Sequence, residues 1–339
     1  MTLPTLFRYV AIVSTGFCLS LSACGQGDQQ PVPQALTNTP HRATTSHSKR
    51  QNLAYVSDES DALVYVVNLA TGTIVKTVLL GGSPNGLTVA NGNVWVANNM
   101  PGGGVFRINT TTYVVAMLNE NGGPATVAFS KNTATVYALD YFAHTVTAIN
   151  ATTGQTLAVI ADAGALPQQF DLDAVNKRLY EVPTDGTLKV IDTTTNTIVA
   201  TMQLGTGYGG NGVVLSPDGS RAYVAVSNYG VVVLDTASGT PVATLLGCPS
   251  PDRMARSSDG SQIYAFCDDG TVDSFNASAL TLTKMLSLDP GHVFGRLATS
   301  NDGTTLYVPS NSNKVFVLDA GTLNVLQTIS VTNPQAIAL

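Results

Sequence analysis

Short apolar runs alternate with polar turn residues along most of the chain from residue 51 onwards. The stretch SPDGSRAYVAVSNYGVVVLDTASG, from Ser216 to Gly239, contains two runs rich in Val and Tyr, with an Asp-Gly turn before the first run. Runs of this length and composition predict β-strands joined by tight turns. The periodicity of long amphipathic helices is missing, so the pattern predicts an all-β protein.

The same pattern recurs until the chain ends. An aromatic residue inside the first run recurs every 40 to 43 residues, and an Asn or Asp at the end of the second run recurs every 41 to 43. The aromatic positions are Tyr55, Trp95, Tyr137, Tyr180, Tyr223, Tyr264 and Tyr307, and the Asx positions are Asn68, Asn109, Asn150, Asp192, Asp235, Asn276 and Asp319. Two markers with one period indicate a structural repeat. We expect the Asx side chains to cap the following turns by accepting backbone N–H groups.

Each repeat contains four short strands, which is the content of one propeller blade. Residues 51–339 hold about seven repeats, so we predict an all-β, seven-bladed β-propeller of four-stranded antiparallel blades. The first repeat lacks the Pro-led strand that begins other repeats, and the chain ends on such a strand, Pro334 to Leu339. We expect this strand to complete the blade begun by residues 53–80, closing the ring without an open sheet edge.

An aromatic-Val pair, a Val-rich run ending in Asp-Thr and a Gly-x-x-Pro link resemble the YVTN family of seven-bladed propellers. The copies nearest to the naming tetrapeptide are YVSD at Tyr55, WVAN at Trp95 and YVPS at Tyr307, and the resemblance covers residues 51–339. The family includes surface-layer proteins, lactonase-like members and quinoprotein-like members. The resemblance therefore implies the fold and leaves several functions open.

The N-terminal residues predict a secreted, lipid-anchored protein. Arg8 is followed by an apolar run of about 15 residues, too short for a permanent membrane helix, which indicates a signal peptide over residues 1–23. The motif LSAC, which ends at Cys24, resembles the bacterial lipobox and implies a lipid on the Cys24 thiol. Residues 24–50 are rich in Gln, Thr, Ser and Pro, so we expect a disordered tether. Gly25 after the lipidated position favours the outer membrane of the bacterial cell envelope.

Composition and charge argue against several classes of function. The net charge is −6, and the 16 basic residues are scattered, which argues against binding nucleic acid through its phosphates. His144 and His292 are the histidines of the repeat region, and the sequence has no C-x-x-C, H-E-x-x-H or haem-attachment motif. We therefore expect no metal and no cofactor.

Two further motifs favour structural interpretations. GTGYGG, from Gly205 to Gly210, satisfies G-x-G-x-x-G but precedes a strand instead of a helix, so we interpret it as a loop between blades. The acidic stretches SDESD, residues 57–61, and CDDG, residues 267–270, contain carboxylates of the kind that bind calcium. Solvated turns are the alternative interpretation of both stretches.

The loops that lead into the inner strands gather at one mouth of the central channel. Their first aligned position carries Asn85, Ala125, Gln168, Asn211, Asp252, Gly295 and Gln335, and the next carries Gly86, Thr126, Gln169, Gly212, Arg253, Arg296 and Ala336. The charged members come from two adjacent repeats, and Asp289 and His292 lie just before Arg296. As candidate ligand-binding residues we take Asn85, Gln168, Asn211, Asp252, Arg253, His292, Arg296 and Gln335. The set suits an anionic or polyhydroxylated ligand, and the alternative is that Asp252 and Arg253 satisfy each other.

Asp171 breaks the repeat at another inner-strand position. The equivalent residues are Thr88, Ala128, Val214, Ala255, Ala298 and Ala338. A carboxylate on an inner strand needs compensation, so we expect hydrogen bonds from a neighbouring blade or contact with channel water.

Cys248 and Cys267 are predicted to form a disulfide. Cys18 leaves with the signal peptide and Cys24 is lipidated, so these two thiols remain in an oxidising compartment. The repeat alignment places Cys248 in the loop before an inner strand and Cys267 at the far end of the next, antiparallel strand. Two unpaired, half-buried thiols are the alternative.

These observations favour a lipid-anchored binding or scaffold protein that presents a propeller face to an envelope protein or glycan. We expect a monomer that contacts the membrane through its lipid anchor alone. One alternative is an enzyme of lactonase or lyase type at the mouth formed by Asp252, Arg253, His292 and Arg296. A second alternative is a quinoprotein-like electron-transfer subunit, for which the sequence shows no cofactor attachment motif.

Cys24→Ser is expected to abolish lipid attachment and leave the propeller intact, because the tether separates the anchor from the repeats. Mass spectrometry of the mature N-terminus measures the modification. Cys18→Ser is the matched control, since that thiol leaves with the signal peptide. An unmodified Cys24, or a mature chain that starts elsewhere, would contradict the lipoprotein interpretation.

Overall fold

The computed structural model describes residues 52–118, 122–161, 169–291 and 295–339. The candidate residues Cys24, Gln168 and His292 lie outside these ranges. Within them, the chain forms strands and turns without an α-helix. In chain order the strands are β1 Leu53–Asp58, β2 Leu63–Asn68, β3 Thr73–Leu79, β4 Pro84–Ala90, β5 Asn93–Asn98, β6 Val105–Asn109, β7 Val115–Leu118, β8 Pro124–Ser130, β9 Thr135–Asp140, β10 Thr145–Asn150, β11 Thr156–Ala161, β12 Gln169–Asp173, β13 Arg178–Val182, β14 Thr187–Asp192, β15 Thr197–Gln203, β16 Gly210–Leu215, β17 Arg221–Val226, β18 Gly230–Asp235, β19 Thr240–Leu245, β20 Pro251–Arg256, β21 Gln262–Cys267, β22 Thr271–Asn276, β23 Thr281–Ser287, β24 Ala298–Thr299, β25 Thr305–Ser310, β26 Lys314–Asp319, β27 Val325–Ser330 and β28 Pro334–Ala338.

The strands form seven four-stranded antiparallel sheets arranged as a ring, which confirms the predicted seven-bladed propeller. Blade 1 contains β28, β1, β2 and β3, and blades 2 to 7 contain consecutive groups of four from β4 to β27. The first strand of each group is the inner strand. Inner strands of neighbouring blades lie side by side, as β4 does with β8 and β16 does with β20, so they surround the central channel.

β28 closes the ring, as predicted. It pairs antiparallel with β1, with Tyr55 opposite Ala338 and Ser57 opposite Ala336. The last strand of the chain thus supplies the inner strand of the blade whose other three strands come from the start of the repeats. Pairing of the two ends removes an open edge that would otherwise template aggregation.

The core consists of seven apolar clusters, and each joins residues from two neighbouring blades. In blade 1 the side chains alternate, because Val56 packs in the cluster shared with blade 7 and Tyr55 in the cluster shared with blade 2. The second and third strands are buried on both faces, whereas the outer strands are mostly exposed. This explains why the second and third strands of a repeat are rich in apolar residues.

The repeated aromatic residue connects neighbouring blades. The hydroxyl of Tyr223 in blade 5 donates to the carbonyl of Ala277 in blade 6 at 3.1 Å, and the hydroxyl of Tyr264 donates to Ala320 in blade 7 at 2.9 Å. Blade 2 carries Trp95 at this position, and its indole N–H has no partner among the described residues. Tyrosine therefore recurs because its ring fills the core while its hydroxyl satisfies a buried turn of the next blade.

The repeated Asx residue caps the turn between the third and outer strands, as predicted. Asn68 Oδ1 accepts the amide of Ala70 at 3.0 Å, and Asp192 Oδ1 accepts the amide of Thr194 at 2.7 Å. The fifth residue of these turns has a left-handed backbone, with positive φ at Gly72, Tyr113, Gly154, Asn196, Gly239, Leu280 and Leu323. Its amide bonds the carbonyl of the Asx residue, so one turn geometry serves all seven blades.

Deleting residues 334–339 is expected to lower the free energy of unfolding by several kcal/mol. The loss of Ile337, which is 3% exposed, should alone cost about 2 to 5 kcal/mol, and β1 would gain an open edge. Thermal or denaturant unfolding measures the change. Removal of Leu339 alone, which follows β28, is the control and should cost much less. A truncated protein that melts with the full-length one would contradict the role assigned to the last strand.

Candidate functional site

The aligned loop positions meet at one end of the channel, and neighbouring inner strands approach closely there. A Cβ atom at Gly212 would lie 3.0 Å from the carbonyl oxygen of Asp252 and 3.0 Å from Gln169 Oε1. A Cβ atom at Gly295 would collide with the carbonyl of Gln335. Glycine at these positions therefore allows the backbones of adjacent blades to touch.

The charged candidates Asp252, Arg253 and Arg296 lie together at this mouth. Arg253 Nη1 donates to Asp252 Oδ1 at 2.7 Å, and the two side chains are 22% and 29% exposed. The pKa of Arg296 is lowered to about 9, first by burial and then by the positive charge of Arg253, while Asp252 acts in the opposite direction. Burial raises the pKa of Asp252, and both arginines oppose that shift. The mouth therefore holds two guanidinium groups near the carboxylate of Asp252, and the charge of Asp268 also acts on that carboxylate.

Arg296 lies just before the short inner strand of blade 7, and its backbone contacts the neighbouring blade. β24 contains only two residues, Ala298 and Thr299. Just before it, Arg296 forms a parallel bridge with Ala336 of β28, in which its amide bonds the carbonyl of Gln335 at 2.8 Å. The backbone of Arg296 is thus held by blade 1, which the repeat alignment did not indicate.

Three candidate residues with amide side chains, Asn85, Asn211 and Gln335, form hydrogen bonds that join neighbouring strands or blades. Asn211 Nδ2 donates to Ser227 Oγ and, at 3.4 Å, to the carbonyl of Pro251 in the next blade. The carbonyls of Asn85 and Gln335 accept bonds from Ser57 Oγ and from the Arg296 amide. These residues line the mouth, and their backbone and side-chain groups also tie adjacent inner strands together.

Two exposed tyrosines flank Asn211. Tyr208 lies in the loop before β16 and Tyr229 in the loop after β17, and they are 49% and 40% exposed. Their ring centroids are 6.4 Å apart with an interplanar angle of 43°. Neither tyrosine occupies one of the aligned loop positions, so the repeat pattern gives no signal for them.

In blades 2 and 3 the last residue of the second strand accepts a hydrogen bond from the loop before the inner strand. Asn98 Oδ1 accepts the amide of Ser83 at 2.8 Å, and Asp140 Oδ2 accepts the amide of Gly123 at 2.7 Å. Both acceptors lie three residues after the repeated aromatic residue. Cys267 occupies the same position in blade 6, so a covalent bond does there what a hydrogen bond does elsewhere.

Cys248 and Cys267 form the predicted disulfide. Their Cα atoms are 5.6 Å apart, and both residues are 2% exposed. Cys267 pairs with Pro251, the first residue of β20, so the bond lies beside the segment that carries Asp252 and Arg253. The bridge therefore fixes one wall of the mouth.

Asp171 finds its partner in the neighbouring blade, as expected. Its Oδ2 accepts the amide of Leu215 in blade 5 at 2.8 Å, and its Oδ1 accepts the amide of Leu172 at 2.8 Å. Burial raises the pKa of Asp171, and these two amides, together with the charge of Arg256, lower it.

The acidic stretches are hydrogen-bonded in turns. Asp58 accepts the amide of Asp61 at 3.1 Å and the hydroxyl of Tyr65 at 3.3 Å, and Asp269 accepts the amide of Thr271 at 3.0 Å. Among the described residues, no group of three or more His, Cys, Asp or Glu side chains is placed to hold a metal ion. In the same part of the chain, no helix has the length and apolar character needed to cross a membrane.

Comparison with known proteins identifies the fold. The chain matches no protein-family model and no curated protein. Among solved structures it is similar to hydrazine synthase of Kuenenia stuttgartiensis, with a TM-score of 0.70 and 17% identity over 79% of this chain and 92% of that chain. A likeness at this identity shows a shared propeller fold, so membership of the YVTN family stays a prediction.

Replacing Cys248 and Cys267 with Ser is expected to lower the free energy of unfolding by ~3 kcal/mol, because the bond closes a loop of about 20 residues in the unfolded chain. Denaturant unfolding measures the loss. Either single replacement should cost about as much as the double one, since each breaks the same bond. Two free thiols at these positions in the unfolded, unreduced protein would contradict the bridge.

Proposed function

We propose that this chain is a lipid-anchored protein of the bacterial cell envelope whose propeller binds an acidic envelope glycan at the channel mouth. The observation that carries the proposal is the pair of guanidinium groups, Arg253 and Arg296, beside the carboxylate of Asp252. The N-terminal lipobox and tether support the location. The fold supports a binding role, because propeller loops converge at the channel mouth.

An anion at the mouth would relieve the repulsion between the two arginines. Arg253 uses Nη1 for Asp252, and its other guanidinium nitrogens make no hydrogen bond among the described residues. Guanidinium groups bind carboxylates through paired, charge-assisted hydrogen bonds. A uronic acid carboxylate therefore matches the charge and the geometry of this pair.

The surroundings favour a glycan over a protein as the ligand. Exposed aromatic rings at Tyr208 and Tyr229 offer flat apolar faces with polar edges, which suit sugar rings. Asn211 and Gln335 add amide groups near the same mouth. Recognition of an envelope protein by this face remains the competing binding hypothesis.

The enzyme hypothesis, of lactonase or lyase type, has one supporting observation. Burial raises the pKa of Asp252 beside two cations, an arrangement that suits a base next to groups that stabilise a developing anion. Release of unsaturated sugar from a polyuronate by this protein would favour a lyase. The quinoprotein-like hypothesis gains nothing from the likeness to hydrazine synthase, because the identity of 17% supports the fold alone.

Arg253→Ala together with Arg296→Ala is expected to weaken binding of oligogalacturonate by at least about tenfold, because two charge-assisted contacts are lost. Isothermal titration calorimetry measures the affinity, with a neutral maltooligosaccharide as the uncharged probe. Lys76→Ala with Lys284→Ala is the matched control, since it removes two exposed cations from outer strands.

The parent protein should bind the acidic oligomer more tightly than the neutral one. Equal affinity of the parent and the double arginine variant would place the site elsewhere. No measurable binding of the acidic oligomer by the parent would overturn the glycan assignment and favour a protein partner. Unfolding curves of the variants exclude loss of fold as the cause.

A further inference from the structure

The channel contains a cavity of about 410 Å³ that extends along the inner strands beyond the mouth. Asp171 of β12 and Arg256 of β20 are the ionisable side chains among its described lining residues. Ser257, Ser258 and Asn301 add hydroxyl and amide groups at the end opposite the mouth. A cavity of this size with few, convergent polar groups suits a small molecule.

Both charges are exceptions within the repeat. Arg256 occupies the inner-strand position that carries Val89, Phe129, Leu172, Leu215, Thr299 and Leu339 in the other repeats. Asp171 stands where the other repeats have Thr, Val or Ala. Charges in a partly enclosed channel are costly unless they are compensated, so two such exceptions on one cavity require an explanation.

Asp171 has a structural role that leaves acceptor capacity unused. Its two oxygens accept the amides of Leu215 and Leu172, each at 2.8 Å. The first bond satisfies an N–H on the channel edge of β16, where no further strand pairs. An ionised carboxylate has about four acceptor sites, so about two remain for a group inside the cavity.

Arg256 lacks a comparable structural role. Among the described residues its guanidinium makes one long hydrogen bond, from Nη1 to the carbonyl of Ser257 at 3.5 Å. A hydrogen bond from blade 7 also reaches this residue, but Thr299 Oγ1 donates it to the backbone carbonyl of Arg256, at 2.9 Å, and not to the side chain. The charge of Arg256 lowers the pKa of Asp171, yet no ion pair joins these two described residues. Most of the guanidinium donors are therefore available to a ligand.

We propose that this cavity binds a small zwitterion of the α-amino acid class, with its carboxylate on Arg256 and its ammonium group on Asp171. The guanidinium presents paired donors to a carboxylate, and the fixed carboxylate presents acceptors to an ammonium. A separated pair of opposite charges is neutralised completely by a ligand that carries both charges. A simple carboxylic acid would leave Asp171 without its counter-charge.

The test is calorimetric titration of the full chain with the standard L-amino acids. Lactate serves as a carboxylate without an ammonium group, and ethylamine as an ammonium without a carboxylate. At least one amino acid should bind, and both partial ligands should bind at least about tenfold more weakly, because each lacks one charged contact.

Arg256→Leu should weaken amino acid binding by at least about tenfold and leave the fold intact, because Leu172 and Leu215 occupy this position in blades 4 and 5. Lys284→Leu, which removes an exposed cation from β23, is the matched control. Asp171→Asn should weaken the amino acid while leaving lactate unchanged. If that variant fails to fold, the comparison of lactate with the amino acid on the parent protein tests the same contact.

Absence of binding by every amino acid would overturn the proposal. Unchanged affinity in Arg256→Leu would overturn it as well. Lactate that binds the parent as tightly as the best amino acid would show an anion site and contradict the zwitterion. The acidic glycan at the mouth is tested on Arg253 and Arg296, so failure of either proposal is recognised separately.

Discussion

The constraint on which this structure depends is that every four-stranded sheet has two apolar faces to bury. Ala54 and Val56 face blade 7, while Tyr55 between them faces blade 2, so neither face of blade 1 is free. A sheet of this kind needs a neighbour on each side, and a closed ring provides one to every blade. The cluster between blades 7 and 1 includes Ile337 of β28, so closure of the ring completes the core at that interface.

In each described sheet the inner and the outer strand have one edge that no strand of the same sheet covers. The outer edge faces away from the channel and the inner edge faces it, so the backbone groups of the inner edge need other partners. Asp171 caps such an edge at Leu215, and Arg296 uses its backbone to bridge to Ala336 across another. Both contacts bring charged residues to the channel.

Periodic features of the structure were predictable from sequence, because the same residue pattern occurs in every repeat. The blade number, the Asx caps and the closing strand all follow from positions that recur every 40 to 43 residues. The disulfide was predictable by elimination among four cysteines. The left-handed backbone at Leu280 and Leu323 was not, since leucine rarely adopts it and the turn geometry common to all blades imposes it.

The parts of the candidate site that sequence reasoning missed arise from contacts between blades. Alignment placed Arg296 beside Arg253, but the pairing of its backbone with Ala336 of β28 is a contact between blades 7 and 1 that the repeat pattern does not indicate. Tyr208 and Tyr229 belong to different loops, and they meet because pairing of Gly210 with Val226 brings the start of β16 and the end of β17 together. Arg256 likewise lines the same cavity as Asp171, which is two blades away, and the sequence alone does not show that these two residues share it.

The disulfide holds the loop before β20, and this loop covers a buried carboxylate. Asp273 is fully buried beside Gly247 and Cys248, and burial raises its pKa from 3.8 to about 6. An acid with a raised pKa stabilises the folded state below its unfolded value of 3.8, and this contribution, on the order of 3 kcal/mol, is lost as the pH rises through about 6. Near neutral pH the loop therefore covers an ionised carboxylate. The covalent bond from Cys248 to Cys267 does not depend on that ionisation. A single hydrogen bond at this position, of the kind found in blades 2 and 3, would have to offset the cost of the buried charge. The disulfide therefore keeps the segment with Asp252 and Arg253 at the mouth.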